Sequence, residues 1–66
     1  MFQKPIWEQD EQVKMCNECH SEFSFWIRKH HCRQCGKIFC DDCSKQRVML
    51  PNLGYTSAER VNKKKN

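Results

Sequence analysis

Apolar positions in this chain come in short groups separated by charge. From Met1 to Met15, Ile6, Trp7 and Val13 are scattered among charged residues with neither a helical nor a strand period, so this segment reads as a loosely held arm with one short turn. Phe23, Phe25 and Ile27 alternate with polar residues and predict a strand or extended loop, although Trp26 interrupts the polar phase. His30 to Arg33 and Lys37 to Cys40 flank the turn Cys32-Arg33-Gln34-Cys35-Gly36. Gly36 can take the positive φ that such a turn needs before a returning strand, so the stretch predicts a β-hairpin. Arg47 to Leu50 stops at Pro51, Asn52 to Gly54 is a turn signal, and Tyr55 to Val61 can return as the partner strand of a second hairpin. Residues 1–6 and 62–66 are expected to be flexible, the latter carrying the run Lys63 to Lys65.

Composition narrows what can hold these pieces together. With 66 residues and 38% hydrophobic content, the chain is a single domain that cannot bury a large core or form a spanning helix. A core in a chain below about 70–80 residues rarely supplies more than ~3–5 kcal/mol, so small domains draw on disulfides or metal. Residues 1–10 lack the uninterrupted apolar stretch of a signal peptide, which points to a cytoplasmic, reducing environment. There cysteines arranged in close pairs are better read as zinc ligands than as disulfides.

All six cysteines fall in three pairs, Cys16/Cys19, Cys32/Cys35 and Cys40/Cys43, each with two intervening residues. Each pair can place two thiolates about 2.3 Å from one tetrahedral zinc. Four of the six fill one site and two are left over. Spacing alone permits either a sequential set, Cys16, Cys19, Cys32 and Cys35, or an interleaved set, Cys16, Cys19, Cys40 and Cys43. Zinc bound in this way is folding free energy, on the order of 10–16 kcal/mol for a structural site.

The formal net charge of +4 suits an anionic partner without selecting one. More telling is the concentration of charge in Arg28-Lys29-His30-His31-Cys32-Arg33, which packs five potentially cationic side chains around one thiolate. Arginine offers a planar fork to phosphate oxygens, lysine a point charge, and histidine a hydrogen bond that strengthens on protonation. A strand here would hold alternate members on one face and form a pocket.

Together these motifs resemble the FYVE zinc finger family. Trp7-Glu8-Gln9-Asp10 fits its W-x-x-D motif, Arg28 to Arg33 its R(R/K)HHCR motif, and Arg60-Val61 the start of its R-V-C motif; the three cysteine pairs follow the family's order. The resemblance implies a small zinc-stabilised, FYVE/PHD-like domain with two short antiparallel β-hairpins and interleaved zinc sites. The first site would use Cys16, Cys19, Cys40 and Cys43, and the second Cys32 and Cys35. It also implies a cytoplasmic module, peripheral on early endosomal membranes, that binds phosphatidylinositol 3-phosphate. Arg28, Lys29, Arg33 and Arg60 would neutralise phosphates. Asp10, His30 and His31 would hydrogen-bond inositol hydroxyls and disfavour headgroups with extra phosphates. Phe25 and Trp26 would form the tip of a membrane-inserting loop, with Phe23 and Ile27 packing inward.

The chain departs from the family at its end. Asn62 stands where the first cysteine of a fourth pair is expected and Lys65 where the second is expected, and Asn66 closes the sequence with little or no C-terminal helix. Two zinc ions are the family's complement; the second site is expected to be weak here, whether the domain continues past Asn66 or the ligand set has diverged. A zinc-held protein-interaction module resembling Rab-effector fingers is the alternative function. Nucleic acid is not an expected partner. No base and nucleophile sit at suggestive spacing and no open catalytic zinc is indicated, so the chain is not expected to be an enzyme.

Overall fold

The computed structural model describes residues 4–63. The expectations for residues 1–3 and 64–66 therefore lie outside the described residues. Strand β1 (His30–His31) pairs antiparallel with β2 (Ile38–Phe39), placing His30 opposite Phe39 and His31 opposite Ile38. Strand β3 (Gln46–Met49) pairs with β4 (Ala58–Val61), with Gln46 opposite Val61 and Met49 opposite Ala58. Both hairpins fall where the turn signals predict them. Single 3₁₀ turns at Asp10–Gln12, Asp42–Ser44 and Pro51–Leu53 complete the fold, with no α-helix among the described residues.

Gly36 takes φ of +83°. Its hydrogen side chain is required a second time by packing, since a Cβ there would lie 2.7 Å from the Ile6 carbonyl oxygen. That close approach marks the first departure from expectation. The N-terminal arm is tied along β2: Glu8 N–H donates to the Gly36 carbonyl at 2.9 Å, and Glu8 Oε1 accepts from Ile38 N–H at 2.7 Å and Asn17 Nδ2 at 2.9 Å. Those anchors are polar or backbone groups, so hydrophobic periodicity could not reveal them. Ile38 and Phe39 are consequently both buried, although they point to opposite faces of the strand.

Among the described residues, four of the eight buried apolar side chains are cysteines: Cys16, Cys32, Cys40 and Cys43 accompany Ile38, Phe39, Leu50 and Val61. Each of the latter four contributes roughly 1.5–3 kcal/mol on burial. A core so rich in thiols depends on what the thiols bind.

The alternation from Phe23 to Ile27 does not become a strand. Ser24 N–H donates to the Ile27 carbonyl at 2.9 Å, while Ser24 Oγ accepts from the N–H groups of Trp26 and Ile27, each at 3.2 Å. A serine hydroxyl that captures local backbone donors closes a turn in competition with strand pairing. Phe23 packs against the core as expected, whereas Ile27 remains 38% exposed. Asn62, grouped with the flexible tail in the sequence reading, is buried at 6% exposure.

Candidate metal centre and anion-binding surface

Two cysteine knuckles share one local design. His20 N–H closes on the Cys16 carbonyl at 3.0 Å, and Gly36 N–H on the Cys32 carbonyl at 2.7 Å. The residue after each knuckle adopts positive φ: +64° at His20 and +83° at Gly36. The Cys16 sulfur accepts N–H groups from Glu18 at 3.3 Å and Cys19 at 3.5 Å. Such donors favour a thiolate over a thiol.

The sulfurs of Cys16, Cys19, Cys40 and Cys43 all lie within 4.8 Å of one another. Cys19 and Cys40 are 3.7 Å apart. Four bonds of about 2.3 Å around a tetrahedral ion set sulfurs roughly 3.8 Å apart, so the donor set and its spacing fit zinc. The interleaved grouping is the one the fold assembles, because the knuckle Cys16–Cys19 and the segment Cys40–Cys43 meet at one end of the β1–β2 hairpin, while Cys32 and Cys35 occupy its turn. Without a cation the four thiols resist joint ionisation. The Ser21 hydroxyl, 3.2 Å from Cys19, is the main influence drawing that thiol down to about 6, while burial foremost pushes the Cys43 thiol up. A bound dication would favour the thiolate at every position.

The basic motif runs along β1 and beyond it. His31 stacks on Trp7, with ring centroids 4.4 Å apart and planes 20° from parallel. Its Nε2 lies 2.9 Å from the Glu8 carbonyl and 3.5 Å from Asp10 Oδ1. Arg33 lies over the other part of the same arrangement, 5.2 Å from the Trp7 ring centre, and pairs with Glu59 at 3.6 Å. The W-x-x-D arm thus meets the motif directly. Lys29 Nζ donates to the Asp10 carbonyl.

His30 occupies the opposite face of β1. Burial first, and then the positive charge of Arg60, hold its imidazole below the ordinary histidine range. Arg60 Nη1 donates to Asp41 Oδ1 at 2.9 Å, the Ser44 carbonyl at 3.1 Å and Ser44 Oγ at 3.3 Å. The hydrogen bond from Arg60 is also the main reason the Asp41 carboxyl is lowered. The seven candidate ligand side chains therefore divide: His31, Arg33 and Asp10 gather around Trp7, while His30 and Arg60 lie near Asp41. Arg28 and Lys29 join Asp10 in lining a concavity of about 360 Å³ with Phe23, Ser24 and Ile27. Beside it the Ser24 turn projects Phe25 and Trp26, 75% and 85% exposed, in an edge-to-face pair with centroids 4.9 Å apart. Glu8, Asn17 and Glu59 are positioning residues that sequence reasoning missed. Glu8 alone carried a signal, as an acid inside the W-x-x-D motif.

A cysteine-held scaffold presenting a basic surface beside exposed aromatic rings defines a metal-stabilised binding module. The chain belongs to the FYVE zinc finger family, whose sequence profile matches residues 6–64. Members of this family are binding modules and not enzymes. The FYVE zinc finger domain protein UPA1 of Mycosarcoma maydis is 53% identical over 47 residues, covering 71% of this chain and 4% of that protein. Zinc finger FYVE domain-containing protein 1 of Homo sapiens is 44% identical over 55 residues, covering 83% of this chain and 7% of that protein. The chain thus spans only a small part of these curated relatives. Among solved structures, the tandem VHS and FYVE domains of Hrs, described as a protein involved in membrane trafficking and signal transduction, align with TM-score 0.86 and 37% identity, covering 94% of this chain and 27% of that one. The LM5-1 FYVE domain of Leishmania major aligns with TM-score 0.78 and 42% identity, covering 89% of this chain and 70% of that one.

Proposed function

We propose that this chain is a peripheral membrane-targeting module that binds phosphatidylinositol 3-phosphate on the cytoplasmic face of early endosomal membranes. The observation that carries the reading is the placement of Arg28, Lys29 and Asp10 around one concavity immediately beside exposed Phe25 and Trp26. A headgroup phosphate entering there meets two cations while its acyl chains lie on the side where the rings project. Arg28 and Lys29 supply the first attraction, each worth ~1 kcal/mol near an anionic leaflet. His31 lies beside Asp10 and would share its contacts to ring hydroxyls, whereas the parts of Arg33 and Arg60 in phosphate neutralisation and of His30 toward a hydroxyl rest on the family resemblance, since His30 and Arg60 lie on the Asp41 side of β1.

Specificity for a single phosphate has a physical basis in the carboxylates. Asp10, Asp41 and Glu59 lie among the basic side chains, so each additional phosphate brings like charge against a carboxylate as well as attraction to the cations. Zinc, held by Cys16, Cys19, Cys40 and Cys43, would serve as structure, with no chemistry of its own toward the ligand.

Flotation with vesicles carrying equal mole fractions of the three monophosphorylated phosphatidylinositols tests the reading. Preference for the 3-phosphate is the expected result. Equal binding to all three removes the specificity claim, and binding to none favours a module that recruits protein partners. Tighter, salt-steep binding to an oligonucleotide would point instead to nucleic acid.

A further inference from the structure

The six cysteines divide in space into four and two. Apart from the four-sulfur cluster, no group of three or more Cys, His, Asp or Glu side chains among the described residues gathers within reach of one ion. Cys32 and Cys35 form a knuckle of the same design as Cys16 and Cys19, with Cys35 N–H donating to the Cys32 sulfur at 3.4 Å. What closes on this second knuckle is Asn62. It follows β4 directly and is 6% exposed. Its Oδ1 accepts from the Cys35 thiol at 3.9 Å, and its backbone N–H is turned toward the Cys32 sulfur and favours the thiolate there.

An amide oxygen is a neutral, hard donor. Two thiolates from a single turn with one such oxygen do not make the closed set of four nitrogen and sulfur ligands that structural zinc takes. The buried side-chain nitrogen and oxygen atoms around this knuckle are also paired. No buried side-chain nitrogen or oxygen among the described residues lacks a hydrogen-bond partner. Arg33 N–H donates to the Arg60 carbonyl at 2.9 Å and joins the two hairpins, and Lys63 N–H donates to the Cys43 carbonyl at 2.9 Å and ties the end of β4 to the 3₁₀ turn, so backbone bonds flank Asn62.

We infer that this domain holds one zinc, and that Asn62 replaces a second metal by joining the Cys32–Cys35 turn to the end of β4 through hydrogen bonds. The inference rests on the four-thiolate centre and is independent of the lipid reading. Its consequence is that the spacing between Arg33 and Arg60 is set by an amide and backbone contacts, while the first knuckle remains metal-dependent.

Native mass spectrometry of the full chain after equilibration with excess zinc and buffer exchange tests this. One zinc per folded chain is expected, and in a cobalt titration the thiolate-to-metal charge-transfer band should saturate at one equivalent. Asn62→Cys with Lys65→Cys supplies two further thiolates at the positions where the sequence pattern expects them, completes a set of four with Cys32 and Cys35, and is expected to raise the count to two. Asn62→Ala should lower Tm while keeping the count at one. Two zinc ions in the unsubstituted chain, or loss of one ion on Asn62→Ala, would overturn the inference. So would an Asn62→Cys, Lys65→Cys chain that folds around its first zinc and takes up no second ion.

Discussion

Replacing Phe25 and Trp26 together by alanine separates membrane insertion from headgroup recognition. The two side chains are 75% and 85% exposed, so most of their surface is available to leave water on insertion. Large aromatic side chains carry roughly 150–250 Å² each, which leaves about 300 Å² available here. If about two fifths of that enters the bilayer interface, ~25 cal/mol per Å² gives about 3 kcal/mol. At 1.4 kcal/mol per decade, the double substitution should weaken partition onto vesicles roughly a hundredfold. The turn itself should persist, because Ser24 supplies its side-chain acceptor and the remaining bonds are backbone. Vesicle affinity is measured by surface plasmon resonance, and binding of a short-chain soluble phosphatidylinositol 3-phosphate by calorimetry. A loss below threefold on vesicles, or an equal loss for the soluble lipid, would refute the assignment of these rings to the membrane.

Four further outcomes follow from the same geometry. Chelation should unfold the domain cooperatively, since half of the buried apolar side chains among the described residues are cysteines; loss of near-ultraviolet dichroism on adding a zinc chelator checks this. Glu8→Ala leaves the Ile38 N–H without its side-chain acceptor and should cost about 2 kcal/mol in denaturant unfolding. His20→Gly removes a side chain from a left-handed position and should stabilise by up to ~1 kcal/mol in the same assay, with zinc count unchanged. For pH, His30 is depressed by burial and by Arg60, so the unfolded chain binds more protons as pH falls; its stability contribution, full above about pH 6.5, is lost as pH drops through the lower folded value. A bound phosphate would counter Arg60 and raise that value, so lipid affinity should rise as pH falls through the raised value, and His30→Gln should flatten the profile.

Local chemistry carried the legible part of this fold. Gly36 and the stretch Pro51 to Gly54 announce their turns because backbone conformation there depends on the residue itself, and both hairpins form around them. Cysteine spacing likewise reveals each knuckle, since two ligands on one turn is a local property. Which knuckles share an ion depends on how the hairpin brings distant segments together; both groupings fit the spacing, and only the resemblance favoured the one formed. The N-terminal arm is not legible from periodicity for a different reason. It is fixed by Glu8 and by backbone groups on β2, which leave no apolar period to detect. The Ser24 turn and Asn62 are cases where one polar side chain overrides its neighbours' pattern.

The basic surface is arranged less as free charge than as charge already partnered. Arg60 is engaged by Asp41 and Ser44, Arg33 by Glu59 and the His31 carbonyl, and His31 by Trp7, Glu8 and Asp10. A ligand that reaches these groups must exchange one interaction for another, so their net gain is modest. The partners meanwhile hold each side chain in place, which lowers the ordering cost of binding. Arg28 differs: it is exposed and has no ion-pair partner among the described residues. On the proposed reading an incoming phosphate would gain most at Arg28, beside the aromatic turn, and the partnered groups would orient it. On this arrangement Arg28→Gln should reduce association with anionic vesicles chiefly through the on-rate, whereas Arg33→Gln should act on the off-rate and loosen Trp7, reported by its fluorescence in a Trp26→Phe background. If both substitutions change only the on-rate, the pre-organised part of the surface takes no part in binding.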